Sequence, residues 1–377
     1  MTARQGGHSG LSARGLVTGL LCAAALGCSH RPPPDFAPAP GLVALIEAIR
    51  VFVPEAVCPG QTIRASYSAV LDDGTEVPFV NRYDKDHPPA LHVVFLSRYS
   101  PNALALENGN WDAASDPLLS AVEGFRLRVA LRAKPSVVTE ETLTPDYSCT
   151  NHVYGFIGDR GRRGEAGGPG PDVTVRMAVV ASPFYERLIV AGVQVEEAPP
   201  FYVFADANAV PPADWLVIAS RGGPGGRGVN GRDGGKGADG QPGCRGSPGG
   251  SGGAGGNGGV GGPGGRGGRV TVIVPEEEPF LAGLVEGRSV GGEGGRGGRG
   301  GDGGSGGKGG AAQDEGRRCS AGADGASGPE GQHGQNGRDG LPGPRPRVIT
   351  VPAADVFGYM VPPALAALLD YQREENR

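Results

Sequence analysis

The chain has 377 residues, of which 71 are glycine and 34 proline, with 6% aromatic and 20% charged residues and a formal net charge of −5. Glycine raises the entropy cost of ordering a backbone and brings nothing to pack, so these numbers argue against one compact enzyme domain. The small negative charge gives no global basic field of the kind that draws nucleic acid.

Residues 1–28 read as an export signal. Arg4 and Arg14 precede an apolar run at 16–26 that is too short to span a bilayer permanently. The run ends in Ala25-Leu26-Gly27-Cys28. This resembles the bacterial lipoprotein signal, in which a small residue precedes a cysteine that becomes diacylated and N-terminal; Ala25 stands where that signal prefers Leu. An ordinary cleaved signal is the alternative. The resemblance implies lipidation at Cys28, and Ser29 after it implies sorting to the outer membrane, at the cell surface or facing the periplasm. Residues 29–41 (SHRPPPDFAPAPG) read as an extended Pro-rich tether. Cys58, Cys149, Cys244 and Cys319 remain and allow three pairings. Pairing Cys58 with Cys149 and Cys244 with Cys319 keeps each bridge within one compositional region, and suits an oxidising compartment.

Residues 42–150 read as an antiparallel β-domain. Ile49, Val51 and Val53 alternate, as do Ile63, Ala65, Tyr67 and Ala69, and again Phe125, Leu127, Val129 and Leu131. Val93 to Leu96 is a further apolar run. Pro59-Gly60, Asp73-Gly74 and Asn108-Gly109 supply turns between them, a spacing that suggests a sandwich. Residues 53–79 (VPEAVCPGQTIRASYSAVLDDGTEVPF), with 100–116 and 123–133, resemble strands of bacterial immunoglobulin-like domains. The resemblance implies a spacer or adhesion module without catalytic residues.

The remaining chain is dominated by glycine triplets, and 56 of the 71 glycines fall in three arrays. The first spans 151–172, with Gly at 155, 158, 161, 164, 167 and 170. The second, 222–269, keeps Gly at every third position from 222 to 267. The third, 291–346, keeps phase from 292 to 343 except at Gln313 and Cys319. A period of three matches a left-handed extended helix with three residues per turn, in which an all-Gly column lets another backbone approach. The arrays resemble bacterial collagen-like surface repeats, but proline is sparse, and 249–269 and 291–310 run Gly-Gly-X. That resembles polyglycine II bundles, whose extended helices bond side by side through backbone groups. Two-face tracts are expected as inner members and one-face tracts as outer ones. Each array exits into a β-strand, at Val173, Val270 and Val348, and the second and third are entered from β-prone residues at 216–223 and 284–292. If the flanking strands share a sheet, the arrays must fold back. The connectors 173–221 and 270–290 complete a β-scaffold, and 347–377 adds a strand and a short helix after Pro362-Pro363.

Chemistry-bearing motifs are absent. Lys236 lacks the Ser or Thr that a P-loop needs. Gly-x-Ser-x-Gly around Ser251 and Ser305 lies inside triplets, without the strand and helix of a nucleophile elbow. His30, His87, His92, His152 and His333 show no metal-ligand spacing; His92 reads as a partly buried residue in an apolar strand. The expectation is a mainly β, non-catalytic surface lipoprotein with a structural or adhesive role, without metal, cofactor or nucleic-acid partner. It would be held to the membrane by lipid and would present Arg266, Arg269, Arg296, Arg299, Asp302 and Lys308 to a protein or polysaccharide ligand. A monomer is favoured, with a collagen-like homotrimeric stalk as rival and an ice- or polysaccharide-binding surface as second alternative.

Overall fold

The computed structural model describes residues 32–313, 318–358 and 361–375. The export signal and Cys28 lie outside them. The fold is mainly β.

Helix α1 (Pro40–Leu45) leads into the N-terminal strands β1 (Ile46–Phe52), β2 (Ala56–Val57), β3 (Thr62–Ile63), β4 (Ser66–Leu71), β5 (Glu76–Phe79), β6 (Leu96–Tyr99), β7 (Ala103–Ala105) and β8 (Trp111–Ala113). After helix α2 (Leu118–Ala121) come β9 (Phe125–Leu131) and β10 (Lys134–Pro145). They form three sheets, ordered β1-β4-β5, β2-β10-β9-β6 and β3-β8-β7. The inward column of β9, Phe125 to Leu131, is at most 1% exposed, which is the burial expected of a period-two strand. The three turn glycines, Gly60, Gly74 and Gly109, all have positive φ.

Three local readings are corrected. The run Ile63 to Ala69 is two strands in different sheets, because the chain crosses between sheets at Ala65, whose N–H turns to Asn110 Oδ1. Val93–Phe95 is a 3₁₀ turn, capped by His92 Nδ1, which accepts the Val94 N–H at 3.1 Å. The described part of the tether is docked: Phe36 packs on Tyr83, His92 and Phe95, with ring centroids 5.0, 6.4 and 5.0 Å away. An aromatic ring in a Pro-rich stretch finds apolar surface and stays there.

The second unit is built by β11 (Val153–Ile157), β12 (Val173–Ser182), β13 (Tyr185–Val195), β14 (Phe201–Asp206), β15 (Leu216–Arg221), β16 (Val270–Pro275), β17 (Val285–Val290) and β18 (Arg347–Val351). Strands β11, β15 and β17 form an all-parallel sheet in that order. Strands β12, β16 and β18 run parallel in a second sheet, which β13 and β14 extend by antiparallel pairing. Val175, Met177, Ile189, Ile218, Val272 and Leu284 fill one core drawn from both sheets. Helix α3 (Pro363–Glu375) buries Leu365 and Leu368 against Val190, Phe204 and Tyr147, which joins the N-terminal unit to the scaffold. Disulfides link Cys58 to Cys149 and Cys244 to Cys319.

The topology places the arrays. Every array leaves from the first sheet and returns into the second, so the flanking strands do not share a sheet, yet each array still folds back. The first array is entered from a strand like the others, β11, which its sequence (VYGFI) concealed. Six extended threads result: I (158–164), II (165–171), III (222–243), IV (246–269), V (291–311) and VI (320–346). Their backbones are bonded to one another at N···O distances of 2.7–3.1 Å. Threads I, III and V run outward side by side: Gly161 N–H donates to the Pro224 carbonyl and Gly231 N–H to that of Arg299. Threads II, IV and VI return side by side: Gly167 donates to Pro263 and Gly255 to Pro329. Bonds between the rows are antiparallel, such as Gly256 to Arg232, Gly301 to Gly256 and Gly331 to Gly301. Two stacked β-sheets thus continue as two stacked layers of threads, reaching ~65 Å over residues 222–243 at ~3.1 Å per residue.

Candidate functional site

Glycine density follows the number of neighbours. Threads IV and V, the Gly-Gly-X tracts, each touch three others along their length, while VI touches two. Thread III carries double glycines at Gly222-Gly223 and Gly225-Gly226, where the short threads I and II lie against it, and once more at Gly234-Gly235, beyond their reach. A Cβ on Gly223 would enter the Asp159 carbonyl, whereas one on Gly235 would meet nothing within 4 Å.

Some of the N–H groups left over by the backbone ladder are satisfied by side chains. On thread VI, Asp324, His333, Asn336 and Asp339 accept the N–H groups of Gly309, Gly300, Gly297 and Gly294. On thread III, Asn230, Asp233 and Asp239 accept those of Arg299, Asp302 and Lys308. Asp239 also takes a bond from Lys236, and these contacts hold its carboxyl below the usual range. Sequence reasoning missed these residues. Their signal was an acidic, amide or imidazole side chain recurring at three-residue spacing beside the Gly frame.

The candidate binding residues do not form one column. Arg296, Arg299, Asp302 and Lys308 are exposed on thread V in the outward layer, with Glu293 before them and Ser305 between the last two. Arg266 and Arg269 are exposed on thread IV in the returning layer, near its base. The outward face mixes signs, because Asp233 and Asp239 of thread III lie beside the cations of thread V. The distal returning face is uncharged over Ser251, Ala254, Asn257 and Val260 and over Ala323, Ala326, Pro329, Gln332 and Gln335. At the tip, Cys244 between threads III and IV is bonded to Cys319 between V and VI.

In the N-terminal unit a groove of about 770 Å³ is lined by Pro32, Asn81, Arg82, His92, Arg98 and Arg132, among others. Two of these arginines serve the fold. Arg98 lies 5.7 Å from the Trp111 ring centroid and donates to the carbonyls of Leu106 and Asn110. Arg132 donates to Leu96. His92 is 4% exposed, and burial pushes its imidazole below 6.5. The folded chain therefore takes up this proton less readily than the unfolded chain, and stability is lost as pH falls through about 6.5. His152, pushed down for the same reason, adds to the slope. Urea midpoints should fall between about pH 7.5 and about pH 5, and fall less in His92→Asn, whose oxygen can still cap Val94. Among the described residues one group of potential metal ligands comes together, Cys58, Asp146 and Cys149. Its sulfurs are held in the disulfide.

No protein-family model, curated protein or solved structure matches this chain. The functional reading is therefore carried by the chain's own residues. No helix among the described residues is long and apolar enough to cross a membrane.

Proposed function

We propose that this is an exported, lipid-anchored surface protein without catalytic activity, in which an immunoglobulin-like domain carries a polyglycine II-type bundle as a stiff structural or adhesive projection. One observation carries the reading: outward and returning threads of a single chain hydrogen-bond to one another through the N–H groups of the Gly frame and are stapled at the tip. A lone extended helix has no internal hydrogen bonds and would be slack. A collagen-like trimer needs partners from other chains, whereas here every thread finds its neighbours within one chain. Lipidation at Cys28, of an outer-membrane lipoprotein, would hold the N-terminal domain close to the bilayer, because the docked Phe36 leaves a span of at most ~28 Å between them.

The uncharged stretch of the returning face supports a second reading, contact with a flat polysaccharide or ice surface, since Arg and Lys lie on the other layer, at the base and at the tip. One experiment addresses both. Cells expressing the chain with a fatty-acid label should yield a labelled, membrane-bound protein, and Cys28→Ser should release it unlabelled. Beads carrying the released form should be retained on matrix protein or on insoluble polysaccharide. Replacing Arg296, Arg299 and Lys308 with serine should abolish retention if the charged face binds, and leave it intact if the returning face does. Persistent label in Cys28→Ser, or no retention on any surface, would contradict the proposal.

A further inference from the structure

The layers end unevenly. Threads I and II cover only the base of III and IV, and beyond them two tracks differ. Glycines 223 and 226 of thread III direct their Cβ positions at the carbonyls of Asp159 and Arg162 in thread I. Further out the same column carries Val229, Arg232, Gly235 and Ala238, three of them with side chains. Side chains there stand in the path that thread I would follow, so that track is closed. The track of thread II is different. At the base, Gly262 and Gly265 of thread IV direct their Cβ positions at the carbonyls of Glu165 and Gly168 in thread II. The column continues outward as Gly259, Gly256, Gly253 and Gly250, still all glycine, although thread II has ended. The nearest atoms to a Cβ at these four positions belong to thread III, at 3.0–3.2 Å, a tight contact that the backbone there would have to relax.

The hydrogen-bonding groups continue as well. Thread II donates from Gly167 and Gly170 to the carbonyls of Pro263 and Arg266, and accepts from Gly226 and Gly223. Three residues on from each, the same groups recur without a protein partner. The carbonyls of Val260, Asn257, Ala254 and Ser251 accept no hydrogen bond among the described residues, and the N–H groups of Val229, Arg232, Gly235 and Ala238 donate none. The ladder stops at Gln241, whose N–H is capped by Ser247 Oγ at 2.7 Å. Several such N–H groups elsewhere in the bundle, those of Gly297, Gly300 and Arg299 among them, are capped by Asn or His side chains; these four are not.

We propose that this slot, four triplets long, binds one extended Gly-X-Y segment of another polypeptide, laid parallel to thread IV as a continuation of thread II. Glycine N–H groups of the incoming segment donate to thread IV, and its next carbonyls accept from thread III. Glycine at every third position is required, because the thread II glycines that occupy the same track cannot carry a Cβ: at Gly167 it would enter the Gly223 carbonyl. The closed neighbouring track limits the slot to one thread, which separates it from capture of a triple helix. The four triplets span ~37 Å.

The test uses the full chain and a fluorescent peptide of five Gly-Ser-Asn triplets, with Ala-Ser-Asn as control. The glycine peptide should bind saturably and the alanine peptide at least tenfold more weakly. Gly235→Pro with Ala238→Pro removes two open donors and no bond of the bundle, since only the carbonyls of these residues are used internally. Proline suits the extended conformation. The double variant should keep its unfolding midpoint and lose at least tenfold in peptide affinity. Absence of binding at millimolar peptide, equal binding of the alanine peptide, or full affinity in the folded proline variant would each overturn the assignment.

Discussion

Gly298→Ala should disrupt the array, whereas Gly235→Ala should leave it unchanged. Both residues are array glycines, so composition does not separate them. Gly298 is buried in thread V, donates to the Gly259 carbonyl at 2.8 Å and accepts from Gly334 at 2.9 Å. A Cβ there would lie inside the Val229 carbonyl oxygen, which is backbone and has no rotamer by which to yield. Relief requires thread V to shift, which breaks or bends at least those two bonds. Lost hydrogen bonds at about 1 kcal/mol each, with overpacking of 1–3 kcal/mol, give a cost of about 2–5 kcal/mol. Gly235 is exposed, its N–H is unused, and alanine keeps the carbonyl that accepts from Gly253. Denaturant midpoints of the two variants measure the contrast. Equal midpoints would mean that close approach of the threads does not hold this region together.

Replacing both Cys244 and Cys319 with serine should loosen the tip first. The bridge closes a separation of 75 residues, and disulfides typically contribute about 2–4 kcal/mol, more for longer loops, by restricting the unfolded chain. At the base, threads are held by β15, β16, β17 and β18; at the tip the bridge joins Cys244, between III and IV, to Cys319, beside the start of VI. The double variant should therefore show faster amide exchange at Gly240, Gly243 and Gly310 while Gly225 and Gly292 change little. A uniform change along the threads would show that the bridge acts on the whole array and not on its end.

Much of this architecture was written in glycine positions. The three-residue frame located the arrays, double glycines marked threads with more neighbours, and the breaks at Gln313 and Cys319 fall between V and VI. The exit strands were legible because Val173–Val175 and Val270–Val274 are β-branched runs. Entry strand β11 was not, because Gly155 and the array's own phase extend into it. The layer of each thread was hidden, since it depends on which sheet the flanking strand joins, and that is set by long-range pairing such as Val217 with Glu286. For this reason Arg266 and Arg296 looked alike in sequence and lie in opposite layers. Ile63 to Ala69 kept period two across a sheet crossing, and the alternation carries no trace of the change of partner at Ala65. The docking of Phe36 was hidden by its proline-rich surroundings.

Hydrogen exchange on the intact chain, resolved to single amides, tests the two-layer array most directly. Thread III provides its own reference, because Gly231, Gly234 and Gly237 donate to thread V while Val229, Arg232, Gly235 and Ala238 donate to nothing among the described residues. The expected result is protection of at least a hundredfold at the first set and at Gly253, Gly256, Gly298 and Gly331, with near-peptide rates at the second set. Rates indistinguishable from free peptide at both sets would contradict the bonded layers and leave the glycine tracts as loops on a β-scaffold.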